Sequence, residues 1–155
     1  MPPLRIMPAD LSGCRVRVGS LDGFAVAVTE AGELILRQPT RSADFRRRLK
    51  SWGCIVVAGR LPKVRAIRAH GTRFQLKVWQ ACQRIRPGQT ATYGALAKSV
   101  GCRSAQAVGT ALGANPLAIL IPCHRIVSAT GAGGFAWGLT RKRSWLQAEH
   151  DGLAG

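Results

Sequence analysis

Carboxylates are scarce in this chain: 7 Asp and Glu stand against 23 Lys and Arg over 155 residues, a formal net charge of +16. So large an imbalance disfavours a partner of the same sign and attracts polyanions, with nucleic acid and an acidic membrane as the two candidates; a merely adhesive basic protein is the bland alternative. Long apolar runs are missing too. No stretch approaches the ~20 residues that a membrane span needs, so no membrane insertion is expected. Met1–Asp10 carries Pro2, Pro3 and Pro8 in place of an apolar segment, so no secretory signal is expected. No Cys-x-x-Cys pair occurs. The cysteines are Cys14, Cys54, Cys82, Cys102 and Cys123, an odd set that argues against a disulfide framework and for a reducing, cytoplasmic setting (nucleoid-associated in a prokaryote). Cys14, Cys54 and His70 match no zinc spacing, so no metal is expected.

Hydrophobic residues make up 46% of the chain, enough to bury a core. The pattern divides into two domains, 1–70 and 71–155. In the first, Val16 and Val18 alternate with Arg15 and Arg17; Phe24, Val26 and Val28 alternate with small residues; Leu34 and Leu36 follow Gly32-Glu33. Period two with glycine turns predicts a small antiparallel meander. Ser42 is placed to cap a basic helix over 43–52, with Phe45 and Leu49 four apart. Residues 53–70 read as strand and linker without further definition.

The second domain is mostly helical. Thr72 can cap a helix whose apolar face is Phe74, Val78, Cys82 and Ile85 beside Trp79, ended by Pro87-Gly88. Thr92 caps a short helix over 93–100, and Ser104 caps another over 105–114 that is broken at Asn115-Pro116. Two short helices about Gly101 read as helix-turn-helix. The second is unusually small-sided, with Ala105, Ala107, Gly109, Ala111 and Gly113, and so can approach another backbone closely. Leu117–Ile121 is an apolar run of strand length that delivers Pro122-Cys123-His124-Arg125. A glycine loop over 131–134 leads to a final helix over 140–150, with Trp145 and Leu146 inward and Arg141, Lys142 and Arg143 outward. The expected class is α+β: a small N-terminal antiparallel sheet plus helix, then a mostly helical part holding a winged-helix-like helix-turn-helix and an active-site loop.

Cys123 beside His124 is the candidate reactive centre. A free thiol, with a pKa near 8.5, is only about 3% ionised at neutral pH, and the thiolate is the nucleophile. A histidine can take its proton and a carboxylate can orient that histidine; only Glu149 and Asp151 lie in this half. Neighbouring side chains on a strand face opposite ways, so Cys123 and His124 need a bent backbone or a bridging water to cooperate. A Cys-His dipeptide alone also fits a buried inert cysteine or an unrelated hydrolase.

Read together, the motifs resolve this. Gly71-Thr72-x-Phe74-Gln75-x-x-Val78-Trp79, Pro87-Gly88-x-Thr90-x-x-Tyr93, Ala107-Val108-Gly109-x-Ala111-x-x-x-Asn115-Pro116 and Ile121-Pro122-Cys123-His124-Arg125-Ile126-Val127 resemble, in order and spacing, the methylated-DNA–protein-cysteine alkyltransferases, which repair O6-alkylguanine. The resemblance covers residues 71–150. It implies Cys123 as alkyl acceptor in a stoichiometric reaction, His124 deprotonating it through a water, Glu149 orienting His124, and Asn115 bracing the hinge before the acceptor. It implies that Thr92, Tyr93 and the helix bearing Ala105, Gln106 and Gly109 meet the minor groove, with Tyr93 helping to rotate the nucleotide out. Arg103 and Arg125 would contact DNA or substrate, and Ala136 and Trp137 would close over the flipped base. Pro122 and the 131–134 loop would shape the pocket, with Trp137 favouring small groups such as methyl. The implied partner is double-stranded DNA bearing O6-alkylguanine, met by a monomer with no cofactor; a non-catalytic reader of alkylated DNA is the alternative. The sequence departs where the family usually carries an intercalating Arg, here Gln106. The turn before it lacks the usual Pro, and the 131–134 loop is one residue short.

Overall fold

The structure is a computed structural model that describes residues 4–6, 10–39, 43–131, 133–135 and 137–154. Two compact units emerge. One comprises Met1–Thr72 with Pro116–Ala118, the other Arg73–Asn115 with Ile119–Gly155.

The first unit is built on six strands: β1 (Leu4–Ile6), β2 (Arg15–Leu21), β3 (Phe24–Thr29), β4 (Glu33–Gln38), β5 (Ile55–Val56) and β6 (Ala66–Ala69), in the order β1-β6-β4-β3-β2-β5. The antiparallel meander is its centre, β2-β3-β4. The sheet as a whole is mixed, not antiparallel as expected, because β1–β6, β4–β6 and β2–β5 pair in parallel. Parallel partners need a long connection, so period-two patterning within one segment cannot reveal them. Val26, Ala27, Val28, Ile35 and Leu36 are fully buried. A bulge between Ala27 and Val28 shifts the register, and the consecutive Ile35 and Leu36 both join one cluster. Helix α1 (Ala43–Ser51) closes that cluster with Phe45 and Leu49, each 1% exposed. Burial on this scale stabilises by roughly 1.5–3 kcal/mol per large side chain. Ser42, expected as its cap, lies outside the described residues.

The expected strand over Leu117–Ile121 is not one. Leu117 makes an isolated parallel bridge with Arg37, whose Nη1 donates to the Ala118 carbonyl at 2.9 Å, and Ile119 turns the chain in the left-handed region at φ +67°. An apolar run of five satisfies strand patterning, yet here it is buried as a bridge followed by a turn.

In the second unit, α2 (Arg73–Cys82) buries Leu76, Val78, Trp79, Ala81 and Cys82. Its expected apolar face is corrected at both ends: Phe74 is exposed, and Ile85 lies beyond the helix. Trp79 Nε1 donates to the Ala111 carbonyl at 2.9 Å, joining α2 to α4 (Ala105–Gly113). A two-stranded parallel pair, β7 (Ala91–Thr92) and β8 (Ile126–Val127), brings the start of α3 (Tyr93–Ser99) beside the residues that follow Cys123-His124-Arg125. Both helix starts follow their caps, with Thr92 Oγ1 accepting from the Ala95 amide and Ser104 Oγ from the Ala107 amide, each at 3.1 Å. The last helix, α5 (Leu139–Ala154), is longer than expected.

Candidate active site

Pro122 does not lead into a strand. Cys123–Arg125 form a single 3₁₀ turn in which the Cys123 amide donates to the Ile121 carbonyl at 2.8 Å and the Arg125 amide to the Pro122 carbonyl at 3.0 Å. This is the bend that lets adjacent side chains cooperate. Asn115, fully buried at the end of α4, donates from Nδ2 to the Ile121 carbonyl at 2.8 Å and to Cys123 Sγ at 3.0 Å. One amide thus fixes the turn and offers a proton to the sulfur.

His124 is 1% exposed, its ring set edge-on to Trp145 at 5.6 Å. Its Nε2 lies 2.7 Å from Glu149 Oε1 on α5. Burial lowers its pKa below the ordinary histidine value, against the opposing pull of Glu149, so the neutral ring is favoured. Burial alone would raise the Glu149 carboxyl; hydrogen bonds from Arg125 and then His124 outweigh it and hold the group below the usual carboxylate range. With Glu149 ionised, Nε2 carries the proton and Nδ1 the lone pair. His124 Nδ1 is buried and has no hydrogen-bond partner among the described residues.

Arg125 departs from expectation. In place of the expected contact with DNA or substrate, it is 9% exposed, donates to both Glu149 oxygens at 2.7–3.1 Å and from Nη1 to the Ile85 carbonyl at 2.7 Å. A guanidinium needs a fork of acceptors when buried, and Glu149 with a backbone carbonyl supplies it.

Cys123, 5% exposed, borders a cavity of about 770 Å³. Thr92, Tyr93, Ala105, Gln106 and Gly109 line the same cavity, as do Gly134 and Phe135. Arg103 is exposed at the turn before α4 and does not line it. Trp137 is also absent from the wall; it packs against Phe135 at 5.3 Å and Trp145 at 6.4 Å, so Phe135, not Trp137, joins Tyr93 as an aromatic facing the cavity. Ala136 lies outside the described residues. Tyr93 donates its hydroxyl to the Gly134 carbonyl at 3.0 Å. Gly133, at φ +74°, lies so close to that ring that a Cβ would stand 2.8 Å from Tyr93 Cε2.

Lys142 was expected outward, between Arg141 and Arg143, and is instead fully buried. Its Nζ donates to the Gly134 carbonyl at 2.9 Å and lies 5.7 Å and 5.9 Å from the Tyr93 and Phe135 ring centres. Burial lowers its pKa, with the nearby Cys123 acting the other way. Lys142 and Phe135 are the site residues that patterning missed. A lysine inside a basic triplet on a helix looks like a solvent face, and only the loop carbonyl and rings brought to it by the fold reveal otherwise.

The sequence model described as 6-O-methylguanine DNA methyltransferase, DNA binding domain, matches residues 73–151, which contain every residue of this arrangement. The chain belongs to the O6-methylguanine-DNA methyltransferase family. Among curated members, the methylated-DNA–protein-cysteine methyltransferase of Mycobacterium tuberculosis is 46% identical over 81 residues, covering 51% of this chain and 49% of its own length. The bifunctional transcriptional activator/DNA repair enzyme Ada of Escherichia coli is 33% identical over 140 residues, covering 88% of this chain and 39% of its own. The match thus spans about half the length, or less, of these curated relatives. Among solved members, the Mycobacterium tuberculosis OGT in complex with DNA superimposes with a TM-score of 0.64 at 28% identity, over 88% of this chain and 93% of that one. Family membership and the α+β fold therefore stand on independent grounds: the motif-bearing half by sequence, and most of the chain by structure.

Proposed function

We propose that this chain repairs DNA by transferring an alkyl group, methyl above all, from O6-alkylguanine to Cys123 in one irreversible turnover. The observation that carries this reading is that Cys123 opens onto the cavity shared by Tyr93, Gln106 and the small residues of α4, while its own turn holds His124 on Glu149. His124 Nδ1 takes the thiol proton through a water. The thiolate, steadied by the Asn115 amide, attacks the alkyl carbon. A C–S bond forms as the bond to O6 breaks, its electron pair leaves with the base, and the proton lost by Cys123 balances the guanine released. A thioether has no route back to thiol among these groups, so each chain reacts once. No cofactor is needed.

A carbon inside the duplex is closed to in-line attack, so the nucleotide must rotate into the cavity, at a cost of a few kcal/mol. Gly94 and Gly113 line that cavity, and a Cβ at either would meet nothing within 4 Å. Internal packing therefore does not require glycine there, whereas a duplex lying close does. Thr92, Tyr93, Ala105, Gly109 and Gln106 form the groove-facing side, with Tyr93 pressing on the lesion strand and Gln106 filling the emptied stack without charge. Arg103 meets phosphate. Phe135, backed by Trp137, forms the wall against the alkyl group and favours small ones. The protein acts as a monomer on double-stranded DNA, in a cytoplasmic or nucleoid setting.

A non-catalytic reader would need no nucleophile at the cavity, and Cys123 is there. Cys123→Ala is expected to abolish transfer of labelled methyl from an O6-methylguanine duplex while retaining binding. Transfer persisting in that variant would refute the assignment.

A further inference from the structure

The charge of this chain is not concentrated where the proposed chemistry would use it. The first unit, residues 1–72 with 116–118, holds 13 Lys and Arg against 5 Asp and Glu; the second holds 10 against 2. The two surpluses are equal, yet the alkyl-acceptor machinery lies wholly in the second.

Within the first unit each acid is already engaged. Asp10 accepts from the Ser12 amide, and Asp22 acts on Arg37. Glu30 pairs with Arg15 and Arg17, Glu33 with Arg68, and Asp44 with Arg48. Three of the remaining basic residues share one helix, α1. Phe45 and Leu49 turn inward, and Arg46, Arg47 and Lys50 are exposed on the opposite stripe, with no carboxylate partner among the described residues. Residues three and four apart on a helix are neighbours about 5–6 Å between Cβ atoms, and like charges so placed destabilise it. Among the described residues no ion pair offsets this repulsion at Arg46, Arg47 or Lys50. Two guanidiniums and an ammonium at that spacing match successive phosphates, which guanidinium binds in a bidentate manner.

We propose that the outer face of α1, Arg46, Arg47 and Lys50, is a second phosphate-binding surface that engages duplex DNA without regard to damage. It draws on the proposed repair function only in taking DNA as the polyanion. Its work would be to hold the protein on undamaged DNA, the electrostatic and sequence-independent part of binding.

The test uses the full chain and an undamaged duplex, with affinity read by fluorescence anisotropy between about 50 and 200 mM salt. Each phosphate contact contributes about 0.9 to the slope of log affinity against log salt. The triple variant R46Q/R47Q/K50Q is expected to flatten that slope by about 2 to 3, R47Q alone by about 0.9, and R46K/R47K to keep it. An unchanged slope in the triple variant overturns the proposal. So does a fall in the lysine variant equal to that of the glutamines, because charge would then not be the cause. Alkyl transfer to Cys123 from the free base O6-methylguanine, followed by mass, reports on the proposed chemistry separately, so either reading can fail alone.

Discussion

The two units bury different things. The first closes over aliphatic and aromatic side chains, with Ile35, Leu36, Phe45 and Leu49 in one cluster; it buries Thr29, Gln38 and Arg37, and its acids pair with surface arginines. The second also has an apolar centre, at Val78, Trp79, Val108 and Ile126, but buries Asn115, His124, Arg125 and Lys142 around one cysteine. Burying such groups is costly unless each finds a partner, and uncharged packing would be as stable or more so. The second unit therefore gives up stability to hold a fixed array of donors and acceptors around Cys123, while among the described residues the first buries one charged side chain, Arg37.

That contrast can be broken most sharply at Glu149. Glu149→Gln leaves Arg125 without its carboxylate and gives His124 a neutral amide in place of its ionised acceptor. Transfer is expected to slow by about 10²-fold, and unfolding free energy to fall by about 3–5 kcal/mol, as when one partner of a buried pair is removed. Binding to undamaged duplex should be unchanged. A rate within twofold of the parent would remove Glu149 from the activation scheme.

The same pair sets a pH dependence. Glu149 sits below its ordinary range in the fold, so its stabilisation is present above the unfolded value of about 4.3 and is lost as pH falls through the folded one. His124 is also lowered, so the unfolded chain takes up its proton first; stability is full above about pH 6.5 and declines below it. Chemical denaturation is expected to show the parent losing stability from about pH 6.5 downwards. Glu149→Gln should show a shallower acid limb below about pH 5, where the carboxylate would have titrated. Equal acid limbs in the two proteins would contradict the assignment.

Phe45→Ala tests the other side of the comparison. It empties the core of the first unit and should cost about 3–5 kcal/mol, while iodoacetamide labelling of Cys123 under native conditions keeps its rate. A matching loss of labelling would show that the two units fail together. The smallest effect is expected from Gln106→Arg, where an added charge should tighten lesion binding or speed flipping a few-fold, about 1 kcal/mol or less. No change in either would show that an uncharged filler suffices.

Much of this was legible because it is local. Thr92 and Ser104 cap the helices they precede, and Phe45 and Leu49 share a face because four residues make one turn. That Glu149 would hold His124 beside Cys123 was legible from motif order and from the scarcity of acids. What depended on distant partners was not. Strands β5 and β6 are two and four residues long and pair in parallel with segments far along the chain. Lys142 and Arg125 carry charges that read as solvent- or DNA-facing until Gly134, Ile85 and Glu149 are brought to them. Phe74 errs the other way, an apolar residue at helical spacing that stays exposed.

The proposed chemistry stands on Cys123 as the alkyl acceptor. The most direct measurement is the mass of the intact protein after incubation with an O6-methylguanine duplex, with the modified residue mapped. One added CH₂, about 14 Da, is expected on Cys123 alone and never more than one per chain. An unshifted mass, or the increment on another residue, would contradict it.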